Sequence, residues 1–216
     1  VRTGVRCFIV LTVLLPLRAL AGDLTVLIDD GHGHRVPDAV VTVERTFPTT
    51  AVVARQPVSR IIDQRDLAFV PYLEVFQPGD SVVFRNSDRT RHHVYSFSSV
   101  KSFEFVLAPG ESSKPQRLEK SGVIAVGCNI HDQMIAYLYV SAAPWIGRSA
   151  ADGHVIIHGL APGRYNVHVW QPRIRPGRAD QSQPVRVDQD SDIRSLHFSL
   201  SLLPDLRSRH GDPMGY

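Results

Sequence analysis

Residues 126–134 read V-G-C-N-I-H-D-Q-M, and three side chains in that stretch, Cys128, His131 and Met134, are donors to soft metal ions. A thiolate, an imidazole and a thioether spaced three residues apart can close on one ion from a single loop. Sulfur donors with imidazole favour copper over magnesium or calcium, and a thioether is the weak axial donor of electron-transfer copper. Zinc also takes thiolate and imidazole, but methionine is a poor ligand for it.

Such a site needs a second imidazole. The stretch N-S-D-R-T-R-H-H-V-Y-S-F (86–97) offers His92 and His93. Successive strand residues point to opposite faces, so one ring turns inward and the other outward. With Val94 as the apolar inward neighbour two positions on, His92 is the ligand and His93 flanks it. The alternative phasing groups His93 with Tyr95 and Phe97 and exchanges the two roles. On the other side, Ile124, Val126 and Cys128 share one face of a strand, which delivers the thiol at the edge of a core, and the chain then turns at Asn129-Ile130.

The elements that position these donors read as nearly all β. Short alternating or β-branched runs recur at 24–28, 39–44, 72–76, 81–85, 93–97, 103–107, 123–128 and 136–140, separated by turn chemistry such as Q-P-G-D and A-P-G-E-S-S. No stretch shows a capped helical period. Strands this short and this closely spaced predict an antiparallel sandwich or barrel. A second unit is expected from about residue 142, with strands at 154–158, 165–170 and 193–202; the tail from Pro204 is expected to be disordered.

Composition bears on compartment and partners. The 216-residue chain is 43% hydrophobic and carries a formal charge of +3. Its first 21 residues read as a cleavable export signal: Arg2 and Arg6, an apolar run from Cys7 to Leu17, then Ala19-Leu20-Ala21. Removing Arg2, Arg6 and Arg18 takes the basic count from 24 to 21, equal to the 21 acidic residues, so the basic balance gives no reason to invoke nucleic acid. No later run approaches the roughly 20 apolar residues of a membrane span. Export to the periplasm leaves Cys128 as a lone thiol in an oxidising compartment, where a metal accounts for it better than a missing disulfide partner.

Taken together, the stretch V-F-Q-P-G-D-S-V-V-F-R-N (75–86), then H-H-V, then C-x-x-H-x-x-M resembles the cupredoxins. The loop spacing is similar to that of amicyanins, shorter than that of plastocyanin. Residues from about 24 to 141 also resemble the plastocyanin-like proteins of proteobacteria often labelled methylamine-utilisation proteins. The resemblance implies a Greek-key β-sandwich over 22–141 holding one copper ion in a type 1 (blue) site. His92, Cys128 and His131 would be its equatorial ligands and Met134 its axial one. It implies one-electron transport between redox proteins, a dehydrogenase, cytochrome or oxidase, with electrons leaving at the edge of His131 through an apolar patch to which Ile130 and Ile135 contribute. Asn129 and His93 flank the ligands. Where amicyanin and plastocyanin usually place an asparagine after the first histidine to brace the ligand loop, this chain has His93, which leaves the brace unassigned.

Residues 152–170, D-G-H-V-I-I-H-G-L-A-P-G-R-Y-N-V-H-V-W, resemble a carboxypeptidase regulatory-like, prealbumin-type sandwich, expected over 142–203. Related modules sometimes bind carbohydrate on an exposed tryptophan, which makes Trp145 and Trp170 candidate stacking surfaces. The stretch D-D-G-H-G-H (29–34) is read as a turn, with metal binding through His32 and His34 as the alternative. No nucleophile elbow occurs and the paired carboxylates sit in turns, so no enzymatic chemistry is expected. Copper delivery, or carbohydrate binding without redox shuttling, is the alternative function.

Overall fold

In a computed structural model, residues 22–47, 55–131, 133–175, 181–188 and 194–205 are described; the expected export signal with Cys7 and the tail beyond residue 205 lie outside them. Every element among the described residues is a strand. β1 (Gly22–Asp29) and β2 (Val40–Arg45) come first. There follow β3 (Ser59–Arg65), β4 (Ala68–Val70), β5 (Leu73–Phe76), β6 (Ser81–Asn86), β7 (His92–Ser98), β8 (Lys101–Leu107), β9 (Gln116–Arg117), β10 (Gly122–Cys128) and β11 (Ile135–Val140). The chain closes with β12 (Trp145–Arg148), β13 (His154–Leu160), β14 (Gly163–Trp170), β15 (Gln181–Val187) and β16 (Arg194–Ser199). No helix among the described residues is long and apolar enough to cross a membrane.

The strands form two sandwiches, each with its own core. In the first, a five-stranded sheet in the order β5-β11-β10-β7-β8 faces a four-stranded sheet in the order β4-β3-β6-β9. Alternation supplies the core between them: Val82 and Phe84 from β6, Val94 from β7, Ile124 and Val126 from β10, Leu138 from β11. Each such side chain, fully buried, stabilises the fold by about 1.5–3 kcal/mol. In the second, β13-β1-β16 packs on β12-β2-β14-β15, with Leu24, Val26, Ile28, Val41, Val43, Tyr165, Val167 and Phe198 between the sheets.

This arrangement corrects the expected division of the chain. Residues 22–45 were expected to belong with the metal-binding sandwich, yet β1 pairs with β13 and β16, and β2 with β12 and β14. The first sandwich therefore spans 59–140 and is inserted between β2 and β12 of the second. The alternating row Leu24, Val26, Ile28 specifies a half-buried strand but not its partners, which lie more than 125 residues away. Five strands also went unread: β3, β4, β9, β12 and β15. β3 has only Ile61 and Ile62 as apolar residues, and β15 carries Pro184, which an edge strand tolerates because it needs no further ladder donor.

The sandwiches meet through aromatic rings. Trp170, at the end of β14, packs 6.0 Å from Tyr137 and 5.2 Å from Tyr139 on β11, and Tyr72 meets Tyr137 edge-on at 5.5 Å. Arg148 donates to the carbonyl of Leu73, and Gln77 Nε2 to that of Ala143 at 3.3 Å.

Candidate metal centre

Strand register brings the two distant stretches together. Cys128, the last residue of β10, lies opposite Val94 on β7. His92 stands two residues before Val94 and so shares its face. The inward row of β7 is His92, Val94 and Ser96, all fully buried, whereas Phe97 on the other face is 74% exposed. Of the two phasings, the structure adopts the one that turns His92 inward. His92 Nδ1 lies 3.6 Å from Cys128 Sγ, and Cys128, the one cysteine among the described residues, is buried as a free thiol.

His131 completes the group. The ligating atoms of His92, Cys128 and His131 lie within 4.8 Å of one another, the one such His, Cys or carboxylate cluster among the described residues. The rings of His92 and His131 are 5.3 Å apart at 60°. Nδ1 of His131 is buried and has no hydrogen-bond partner. A buried imidazole nitrogen left without a partner is costly in a protein interior, and a bound cation would satisfy it. Met134 is 2% exposed and packs in the same core cluster as Cys128. The donor set is thus one thiol, two imidazoles and one nearby thioether, which fits copper in the way the sequence implied.

Backbone hydrogen bonds fix the loop. Cys128 N–H donates to Met134 O (3.2 Å) and Met134 N–H to His131 O (3.0 Å), so Cys128 and His131 are both tied to Met134. Asn129 N–H donates to His93 O at 3.0 Å and ties the residue after Cys128 to β7. The His93 side chain points away and pairs with Glu104 (2.8 Å) on the outer face. Ile130 is 52% exposed and Ile135 37%, so both stand at the surface beside the group.

Two residues that sequence reading passed over organise the other side. Asn86 is fully buried; its Nδ2 donates to Thr90 O (2.8 Å) and Leu107 O (3.0 Å), and its Oδ1 accepts from Asp88 N–H (3.0 Å). Asn86 therefore ties the turn before His92 to the end of β8. Asp88 Oδ2 lies 2.8 Å from His92 Nε2. The available signal was a carboxylate four residues before a ligand histidine, across a turn that makes i to i+4 contact possible.

The other candidates are placed elsewhere. His34 Nδ1 pairs with Asp30 Oδ2 at 2.8 Å and the backbone N–H groups of His32 and His34 donate to Asp30 Oδ1, which is the hydrogen bonding of a turn. That partnership holds the Asp30 carboxyl down at about 2. Trp145 packs edge-on against Tyr165, and Trp170 against Tyr137 and Tyr139, so both rings are engaged in packing.

No family model matches the chain, and no curated protein matches it. Solved structures do. A copper-containing nitrite reductase (NirK) from Thermus scotoductus SA-01 is 20% identical over 45% of this chain and 25% of that one, with a TM-score of 0.36. A methionine-to-glutamine variant of amicyanin in the Cu(I) state is 14% identical over 38% of this chain and 82% of that one (TM-score 0.36). A reduced tryptophan-to-tyrosine variant of amicyanin is 17% identical over 47% and 98% (TM-score 0.36). The match thus spans about a quarter of the nitrite reductase. Likeness at this level says nothing of activity, substrate or partner.

Proposed function

We propose that this protein holds one copper ion with His92, Cys128, His131 and Met134 and carries single electrons between redox proteins after export to the periplasm. The observation that carries the reading is the convergence of His92 on β7, Cys128 at the end of β10 and His131 on the segment that follows, with their ligating atoms within 4.8 Å of one another. Bound copper supplies a one-electron couple. The chain's own contribution is to hold the donors still: β7 and β10 fix His92 and Cys128 in a close-packed core, and backbone hydrogen bonds tie Cys128 and His131 to Met134. A donor set that suits both oxidation states about equally leaves little to rearrange. Burial of the thiol excludes water and external oxidants. Ile130 and Ile135 offer an apolar rim beside His131 against which a redox partner can dock. In this reading the protein is a carrier.

The test is an optical and EPR spectrum of the purified chain after Cu(II) addition, with a redox titration. An intense thiolate-to-Cu(II) visible band with reversible reduction is expected. Tight Cu(I) binding at a labile site without that band would replace electron carriage by copper delivery, and preferential zinc retention would remove the redox reading.

A further inference from the structure

The loop before His92 carries a carboxylate with an unusual set of partners. Asp88 Oδ1 accepts Asp66 N–H at 2.6 Å, while Oδ2 accepts Leu67 N–H at 3.2 Å and lies 2.8 Å from His92 Nε2. Asp66 and Leu67 form the turn between β3 and β4, and both adopt left-handed backbone conformations (φ 54° and 57°). Such a turn normally takes Asn-Gly or Asp-Gly. Leucine gains nothing from αL, and its side chain is exposed here, so packing does not explain it. The carboxylate that receives both turn N–H groups does. A carboxylate has acceptors only, so the imidazole must donate: Nε2 carries the proton and Nδ1 presents its lone pair toward Cys128.

We infer that Asp88 is a positioning residue for the metal centre: it locks the tautomer and orientation of His92, and its charge makes that imidazole a stronger donor to the oxidised ion. The inference rests on the copper reading above for its redox consequence, but its tautomer consequence does not. Carboxylate partners of metal-bound histidine fix ring orientation and raise ligand basicity, and their loss costs about 10–100-fold in affinity. A neutral partner weakens the oxidised state more than the reduced one. A tenfold differential loss corresponds to a rise of about 59 mV in reduction potential for a one-electron couple.

The full chain is compared with Asp88→Asn and Asp88→Ala by ¹⁵N NMR of the histidine rings in the metal-free protein, and by Cu(II) affinity and potential after loading. Asn keeps an acceptor oxygen, so Asp88→Asn is expected to retain the Nε2–H tautomer while losing at least tenfold in Cu(II) affinity and gaining potential. Asp88→Ala is expected to lose the tautomer preference as well. To separate these effects from the carboxylate's grip on the turn, the same substitutions are repeated in Asp66→Asn/Leu67→Gly, whose turn holds without help. Persistence of both effects there supports the inference. An unchanged tautomer in Asp88→Ala, or an unchanged affinity and potential in Asp88→Asn with the visible band intact, overturns it. Absence of the band from the wild-type protein refutes the copper reading instead, and leaves the tautomer result to decide the role of Asp88.

Discussion

The two adjacent histidines give the sharpest test, because the structure assigns them opposite fates. His92 is fully buried against Asp88 and Cys128. Replacing it with alanine empties a ring-sized space, and large-to-small changes at such positions cost about 2–5 kcal/mol. The Asp88 carboxylate keeps its two backbone donors, so the lower half of that range, about 2–3 kcal/mol, is expected for the metal-free protein. His93 faces outward to an exposed Glu104, a pair worth less than about 1 kcal/mol. The metal sharpens the contrast. A ligand at 100 times its dissociation constant stabilises the folded state by about 2.7 kcal/mol. Urea unfolding of each protein, with and without Cu(II), should show that increment in the wild type and in His93→Ala and not in His92→Ala. The visible band should follow the same division. Retention of the copper increment by His92→Ala together with its loss from His93→Ala would invert the β7 phasing and refute the site.

Other outcomes follow from specific contacts. Asp80 is buried; burial alone would raise its pKa, but the Arg55 guanidinium (2.7 and 2.8 Å) and the N–H groups of Gln77 and Val58 outweigh it and hold the carboxyl below its ordinary value. A depressed folded pKa means its stabilisation is complete above the unfolded value near pH 4 and is lost as pH falls through the folded value. Asp80→Asn should therefore lower urea stability by about 3 kcal/mol at pH 7 and flatten the acid limb of a stability-against-pH curve. Trp170→Ala should remove about 2 kcal/mol and split a single calorimetric transition into two, because its ring joins the sandwiches. A Cβ at Gly127 would stand 2.8 Å from the Tyr95 ring, so Gly127→Ala should cost about 1–2 kcal/mol and shift the visible band through its neighbour Cys128.

What the sequence disclosed, and what it withheld, divides along physical lines. The spacing of Cys128, His131 and Met134 is local, and backbone hydrogen bonds within that stretch tie the first two to the third. The inward face of β7 was legible from Val94, although Tyr95 and Phe97 argued for the other face; the larger rings lie outward, Phe97 largely exposed. Membership of β1 and β2 was not legible, since period-two alternation encodes burial and not partner. The role of Asp88 was hidden for a related reason. Its charge reads as turn chemistry, and only the return of β3 alongside β6 places Asp66 and Leu67 over it.

The insertion topology bears on how the proposed copper centre keeps its ligands still. β11 begins one residue after Met134 and pairs with β10 along its inner neighbours, while Ala136, Leu138 and Val140 face the core. Its outer face carries Tyr137 and Tyr139, which in a free-standing sandwich would meet water. Here Trp170 and Tyr72 cover them, and burial raises the pKa of the Tyr137 phenol above its usual value. The strand that follows Met134 is therefore gripped on both faces, by its own core and by the second sandwich. A segment leaving a strand so held has less freedom to shift when charge arrives than one leaving an exposed edge. Through Trp170 the second sandwich thus packs on the strand that anchors the proposed centre.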